Sequence, residues 1–336
     1  MALSLPLSAG TELPLNIKKL SDRVLVVWVA DYYQTIGVVA LATEKGIVTI
    51  DANLSRSNDM RIRKAIAEEF GRSDFKYLIN THYHHDHTGG NQAYADIEII
   101  AHKNCPAGMK KELTDKGLDD LIGRFKERLK IRRLEIKQLD PESREQKTMN
   151  EEIILLRQAV DEFENGFVPT YPTLLFEKNM ILDMGDMTLE LYYFGGRHTN
   201  SDIVIYIPEE GLVALGDHIP GIMLPFVGRG TIGDLPVVLE HWSRIIESGR
   251  EIKHVTMAHW DMPMSVEAFK EQYFYLKTVV DTLDEMQQAG NTLDDAKRTF
   301  TIEKDFPFFK DKILKIRDID LHENNIEALW KWLSGK

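Results

Sequence analysis

Cysteine is almost missing: Cys105 is the only one in 336 residues. A lone thiol closes no disulfide within the chain, so cysteine usage indicates neither an oxidising nor a reducing compartment. Long apolar runs are missing too, and none approaches the roughly 20 residues of a membrane span. The opening MALSLPLSAGTELP has neither the basic start nor the apolar stretch of a signal peptide. We therefore expect a soluble protein with no membrane partner, either cytoplasmic or, if a leader has been removed, periplasmic or secreted. Positive charge is in deficit, 41 basic against 53 acidic side chains for a net −12, and a field of that sign disfavours nucleic acid and anionic membrane surfaces as partners. No repeat of fixed period and no low-complexity tract is present. With 43% hydrophobic residues, the chain can bury a large core.

Short β-branched stretches, RVLVVWVA from Arg23, then TIGVVALAT and GIVTIDAN, read as successive strands of one sheet. SNDMRIRKAIAEEFG follows as a helix with a serine cap, an apolar stripe of Met60, Ile62, Ile66 and Phe70, and a stop at Gly71. FKYLIN returns as a strand, followed by a short helix from Gly89-Gly90 and the strand IEIIAHK. Residues 107–166 change character: Leu118, Leu121, Ile122, Phe125 and Leu129 keep one helical stripe, Asp140-Pro141 breaks it, and Ile153 to Phe163 begins another. This is a helical hairpin inserted into the domain, a solvated element or else a lid or an arm for homodimerisation. Strand alternation resumes in MILDMGDMTLELYYFG and SDIVIYIPEEGLVALGD, implying a second sheet, with VVLEHWSRIIES a helix and KHVTMAHW a strand. Residues 265–336 read as a mostly helical C-terminal extension of one domain spanning 1–336.

Residues 80–91, NTHYHHDHTGGN, hold four of the eleven histidines. In extended chain, residues two apart face the same side, so His82 and His84 can grip one ion together, while Asp86 and His87, past a turn, can face a second. Imidazole and carboxylate without thiolate suit zinc and similar borderline metals. Four ligands do not complete two sites, so further donors are expected at strand ends. His198 in FGGRHTN, Asp217 ending LVALGD and His259 ending KHVTMAH stand at such positions.

HYHHDH, His198, Asp217 and His259, in that order between strands, resemble the metallo-β-lactamase superfamily, over roughly Val24 to His259. The resemblance implies an α/β (α+β) fold, an αββα four-layer sandwich with the metal site along one edge of its two sheets. It also implies that His82, His84 and His198 hold a first metal, that Asp86, His87 and His259 hold a second, and that Asp217 bridges them, with Asp51 as an early structural aspartate. The chain departs from the family in three ways. Ala258 and Trp260 flank the last ligand where glycines are usual, the interval from His87 to His198 is lengthened by the insertion, and His218 directly follows the bridging aspartate, either supporting the ligands or serving the structure alone.

Two divalent ions so held, zinc first and iron or manganese as alternatives, bring the pKa of a shared water to about 7 and make hydroxide available at neutral pH. Asp86 would orient that nucleophile and help move its proton. Keeping Asp217 resembles glyoxalase II, the lactonases and SoxH-like hydrolases, and favours cleavage of a small-molecule ester, thioester or lactone; lactam cleavage, as in a β-lactamase, is an alternative. A second class sharing this fold is the persulfide dioxygenase, whose single iron would use His84, His198 and Asp217. A nuclease would need a basic substrate path that −12 does not provide, and the residues after His259 leave no room for a flavodoxin domain. A non-enzymatic binding protein would not be expected to keep a complete ligand set. Tyr83, Arg197 and Trp260 lie close enough in sequence to ligands to line the substrate pocket, with core packing as the plainer role for each; for Phe226 we prefer packing.

Overall fold

The computed structural model describes residues 12–30, 35–218, 223–225, 227, 235–259, 264–312, 314–316 and 319–335. β1 (Leu15–Ser21), β2 (Val24–Val29), β3 (Val38–Thr43) and β4 (Gly46–Ile50) form an antiparallel meander. The sheet then continues in parallel. Helix α1 (Arg56–Phe70) crosses over to β5 (Phe75–Ile79), and β6 (Glu98–His102) and β7 (Leu174–Phe176) complete seven strands in chain order. Two of these strands escape the sequence reading: β1 carries too few apolar residues to alternate visibly, and β7 is three residues long.

Between β5 and β6 lies the four-residue helix α2 (His85–Thr88). After β6 come α3 (Cys105–Leu113), α4 (Asp115–Glu135) and α5 (Arg144–Glu164), so the helical hairpin is α4 against α5, with α3 leading into it. Leu129 of α4 packs on Ile153, Leu156 and Val160 of α5, and Leu121 joins Met109, Leu113 and Phe163. Ile131 and Leu134 on α4 stay exposed.

The second sheet has five strands, β8 (Asn179–Asp183), β9 (Thr188–Tyr192), β10 (Val204–Ile207), β11 (Leu212–Ala214) and β12 (His254–Thr256), with β8 at one edge and β12 at the other. Alternation sorts its side chains into two layers. Ile205, Ile207, Leu212 and Ala214 face the first sheet and meet Val24, Val26, Val39, Leu41, Val48 and Ile50. Val204, Tyr206, Val213 and Val255 face outward onto α6 (Leu235–Glu247), α7 (Val266–Gln288) and α10 (Leu321–Leu333). α8 (Leu293–Thr299), α9 (Ile302–Asp305) and the small hairpin of β13 (Lys315–Ile316) and β14 (Ile319–Asp320) connect α7 to α10. On the far face of the first sheet, Leu25, Val27, Val38 and Ile47 pack against Ile62 and Ile66 of α1. The layers therefore run helix, sheet, sheet, helix, as the family resemblance implied.

Helix α1 corrects two local readings. Its cap is Ser55, whose side chain accepts from Asn58 N, two residues ahead of the serine that opens the quoted stretch. Met60 is 49% exposed and does not belong to the buried stripe. Gly71 does end the helix, in the left-handed conformation at φ 64° that glycine adopts without steric cost.

Candidate metal centre

Each candidate donor follows the C-terminal end of a strand: His82 to His87 follow β5, His198 follows β9, Asp217 follows β11 and His259 follows β12. The sandwich brings these four segments to one edge. There, His82, His84, His198 and Asp217 form one group of converging donor atoms, and Asp86, His87 and His259 another.

In the first group, His82 Nε2 lies 3.1 Å from His84 Nδ1, which lies 3.0 Å from His198 Nε2. Asp217 Oδ2 is 3.3 Å from His198 Nε2 and 3.9 Å from His82 Nε2. In the second, Asp86 Oδ2 is 3.3 Å from His259 Nε2. Asp217 reaches this group as well, with Oδ1 3.5 Å from His87 Nε2 and Oδ2 3.6 Å from His259 Nε2.

The surrounding residues fix these orientations. Asp51, held at φ 60°, accepts from Thr81 N at 2.7 Å and from Thr81 Oγ1 at 2.8 Å, and its Oδ2 lies 2.9 Å from His87 Nδ1. Because the Thr81 hydroxyl donates to Asp51, it accepts from His82 Nδ1, 3.1 Å away. Both imidazoles thus bind their Nδ1 protons elsewhere and turn Nε2 inward. Asp202 accepts from the backbone N–H groups of Arg197, His198 and Thr199 and from the Thr199 hydroxyl, fixing the loop that presents His198. Gly216, at φ 52°, admits the chain beside Thr81, where an added Cβ would come 2.5 Å from the Thr81 hydroxyl oxygen.

Burial pulls the His82 imidazole well below the usual histidine pKa and brings His84 down to about 4, so both present lone pairs at neutral pH. Burial would lower His87 as well, but the carboxylates of Asp51, Asp217 and Asp86 outweigh it and hold that residue at about 9. His259 is raised in the same way by Asp217 and Asp86 against its burial. For Asp217 and Asp86, burial opposes ionisation, yet the neighbouring His259 and His87 keep both carboxyls well below the ordinary range.

A model of the metallo-beta-lactamase superfamily matches residues 33–248, well over half of the chain. The chain belongs to the metallo-β-lactamase superfamily. Members are typically metal-dependent hydrolases. Among solved structures, a metallo-beta-lactamase from Pontibacter korlensis aligns with TM-score 0.50 at 15% identity, covering 76% of this chain and 96% of that one. Another from Erythrobacter litoralis, with beta-mercaptoethanol in its active site, aligns with TM-score 0.49 at 15% identity over 77% of this chain and 94% of its own. At such identity the first likeness speaks for the fold alone. No curated protein matches the chain significantly.

The metal expected of a metallo-β-lactamase fold suits these residues. His87 Nε2 is buried without a hydrogen-bond partner although it faces the other donors, an arrangement that costs about 1–3 kcal/mol unless something binds there. Ligand atoms about 2.0–2.2 Å from a tetrahedral ion stand about 3.3 Å apart, close to the 3.0 and 3.1 Å between the ring nitrogens. His82, His84 and His198 could hold one ion, Asp86, His87 and His259 another, with Asp217 between them.

Of the other sequence candidates, Tyr83, Arg197 and His218 are among the described residues. Tyr83 packs on α3, where a Cβ added to Gly108 would come 2.2 Å from its ring. Arg197 is 4% exposed, its guanidinium 5.9 Å from the Trp242 ring centre. His218 is buried beside the same indole, with both ring nitrogens unpartnered, and burial brings it to about 4. Trp260 and Phe226 fall outside the described residues.

Sequence reasoning missed Asp202 and Glu112. The fourth histidine of the motif, His85, is in neither donor group. Its backbone N–H donates to Glu112 Oε2 at 3.0 Å and its Nδ1 lies 3.2 Å from Glu112 Oε1, so a carboxylate from α3 grips the first residue of the helix that carries Asp86 and His87. Glu112→Ala is expected to weaken metal binding at the Asp86, His87 and His259 group by roughly 10–100-fold in a chelator competition titration. Unchanged affinity would reduce that contact to packing.

Proposed function

We propose that the chain is a dinuclear metallo-hydrolase that cleaves an ester, thioester or lactone bond of a small molecule, with zinc as its metal. The observation that carries this reading is the position of Asp217, whose two oxygens lie 3.3–3.9 Å from ring nitrogens of both donor groups. One carboxylate shared in that way supports two ions acting together rather than one ion and a stray cluster. Metals bound there supply Lewis acidity and lower the pKa of a water to about 7.

The protein's own part is to position. Asp86 turns Oδ2 to His259, and His87 and His259 keep it ionised against its burial, so that Oδ1 would be left to orient the attacking water. His82, His84 and His198 hold the substrate side of the centre rigid, because Thr81 and Asp202 fix two of those three residues. β-Lactam cleavage, the activity for which the Pontibacter korlensis protein is named, belongs in the same assay panel.

Metal analysis with nitrophenyl esters, a thioester, a lactone and nitrocefin tests the reading. Two zinc ions per chain with turnover of the ester, thioester or lactone is the expected result. One iron per chain with sulfite formed from glutathione persulfide would replace it by the dioxygenase, and two ions without any hydrolysis would leave the fold serving a binding role.

A further inference from the structure

A groove of about 930 Å³ lies among α6, β9 and the turn between β7 and β8, and none of the seven donors lines it. Its walls are rings. Tyr192, Phe194 and His241 stack in sequence, centroids 5.4 and 4.0 Å apart and planes within 17° and 15°. His102 and Tyr193, also in the lining, stack at 3.7 Å. Four cationic side chains, Lys103, Lys178, Arg244 and Arg250, line the groove with only one carboxylate, Glu177, in a chain whose net charge is −12.

Some of this charge is already met. Lys103 pairs with Glu177, Arg244 with Glu240 on its own helix, and Arg250 with Glu190 at 2.7 Å. Lys178 has no carboxylate within 4.0 Å among the described residues, and the Arg244 pair is exposed on both sides. Exposed pairs of that kind hold weakly and exchange partners readily. Ring faces beside available cations, in a volume typical of small-molecule sites, are complementary to a flat molecule that carries negative charge.

We propose that this groove binds a small planar aromatic anion, its ring continuing the Tyr192–Phe194–His241 stack and its charge meeting Lys178 and Arg244. The site is separate from the metal centre and goes beyond the hydrolase reading, which it neither needs nor supports.

Calorimetric titration of the purified full chain with 2-naphthoate tests it, alongside 2-naphthalenemethanol, which lacks the charge, and butyrate, which lacks the ring. Saturable one-to-one binding of the naphthoate is expected, at least five-fold tighter than either control. The surface double variant Lys178→Ala/Arg244→Ala should weaken it at least five-fold, and Tyr192→Leu should weaken it by a similar factor. Naphthoate that does not saturate, a control that binds equally well, or a double variant that binds like the wild type would overturn the proposal. The last outcome would place the ligand at the metal centre instead.

Discussion

Replacing His82 and His84 together by Ala is expected to abolish metal binding at their group, and turnover with it. His82 is buried and His84 half-buried, burial keeps both unprotonated at neutral pH, and their nitrogens face each other across 3.1 Å within the donor group. Losing two of the donors in a group of four leaves His198 and Asp217, too few to hold an ion at that position. The two groups should also differ with pH. His84, at about 4, imposes no proton competition at neutral pH, whereas His87, at about 9, and His259, also raised, carry protons that must leave when a metal arrives. As pH falls below about 9, affinity at the Asp86, His87 and His259 group should drop steadily while the His82 group keeps its metal. Metal content by elemental analysis and affinity by competition, each from pH 6 to 9, give the answer. Full activity in a double variant that has lost the metal of the His82 group would refute the mechanism, and identical pH slopes for both ions would refute the account of the protons.

Asp202→Ala is expected to cost about 3–5 kcal/mol of stability, the scale of removing one partner from a buried, hydrogen-bonded charge network. The carboxylate is buried and accepts from three consecutive backbone N–H groups and one hydroxyl within 2.6–2.9 Å. Without it those donors are left unsatisfied, and the buried Arg197, which Asp202 helps to keep charged against its burial, loses a counter-charge. His198 N is one of the three donors, so the variant should lose metal affinity as well as stability. Urea unfolding followed by metal titration separates the two effects. A loss of under 1 kcal/mol with wild-type metal affinity would show that the loop holds its shape by other means.

Sequence showed the donors better than it showed their supports. His82, His84, Asp86 and His87 lie within six residues, and strand-end position picked out His198, Asp217 and His259; the structure brings all seven to one edge. Asp202 and Glu112 left no trace of that kind. An aspartate four residues past His198 and a glutamate in an amphipathic helix have ordinary alternatives as surface charges, and only the folded chain shows what each one accepts. The fold was legible where short β-branched runs were dense, as in β2 to β4, and where strand alternation resumed, as in β8 to β11. β1 and β7 depend on pairing with a neighbour, which local pattern does not encode. Arg197 carried two readings, pocket lining and core packing, and its burial beside Trp242 agrees with the second.

The donors come from both halves: His82, His84, Asp86 and His87 leave the seven-stranded sheet, while His198, Asp217 and His259 leave the five-stranded one. Any ion shared between them would act as a rivet through both halves of the sandwich. Chelation would then loosen the seam between the halves, and the melting temperature would climb with the free concentration of metal as mass action requires.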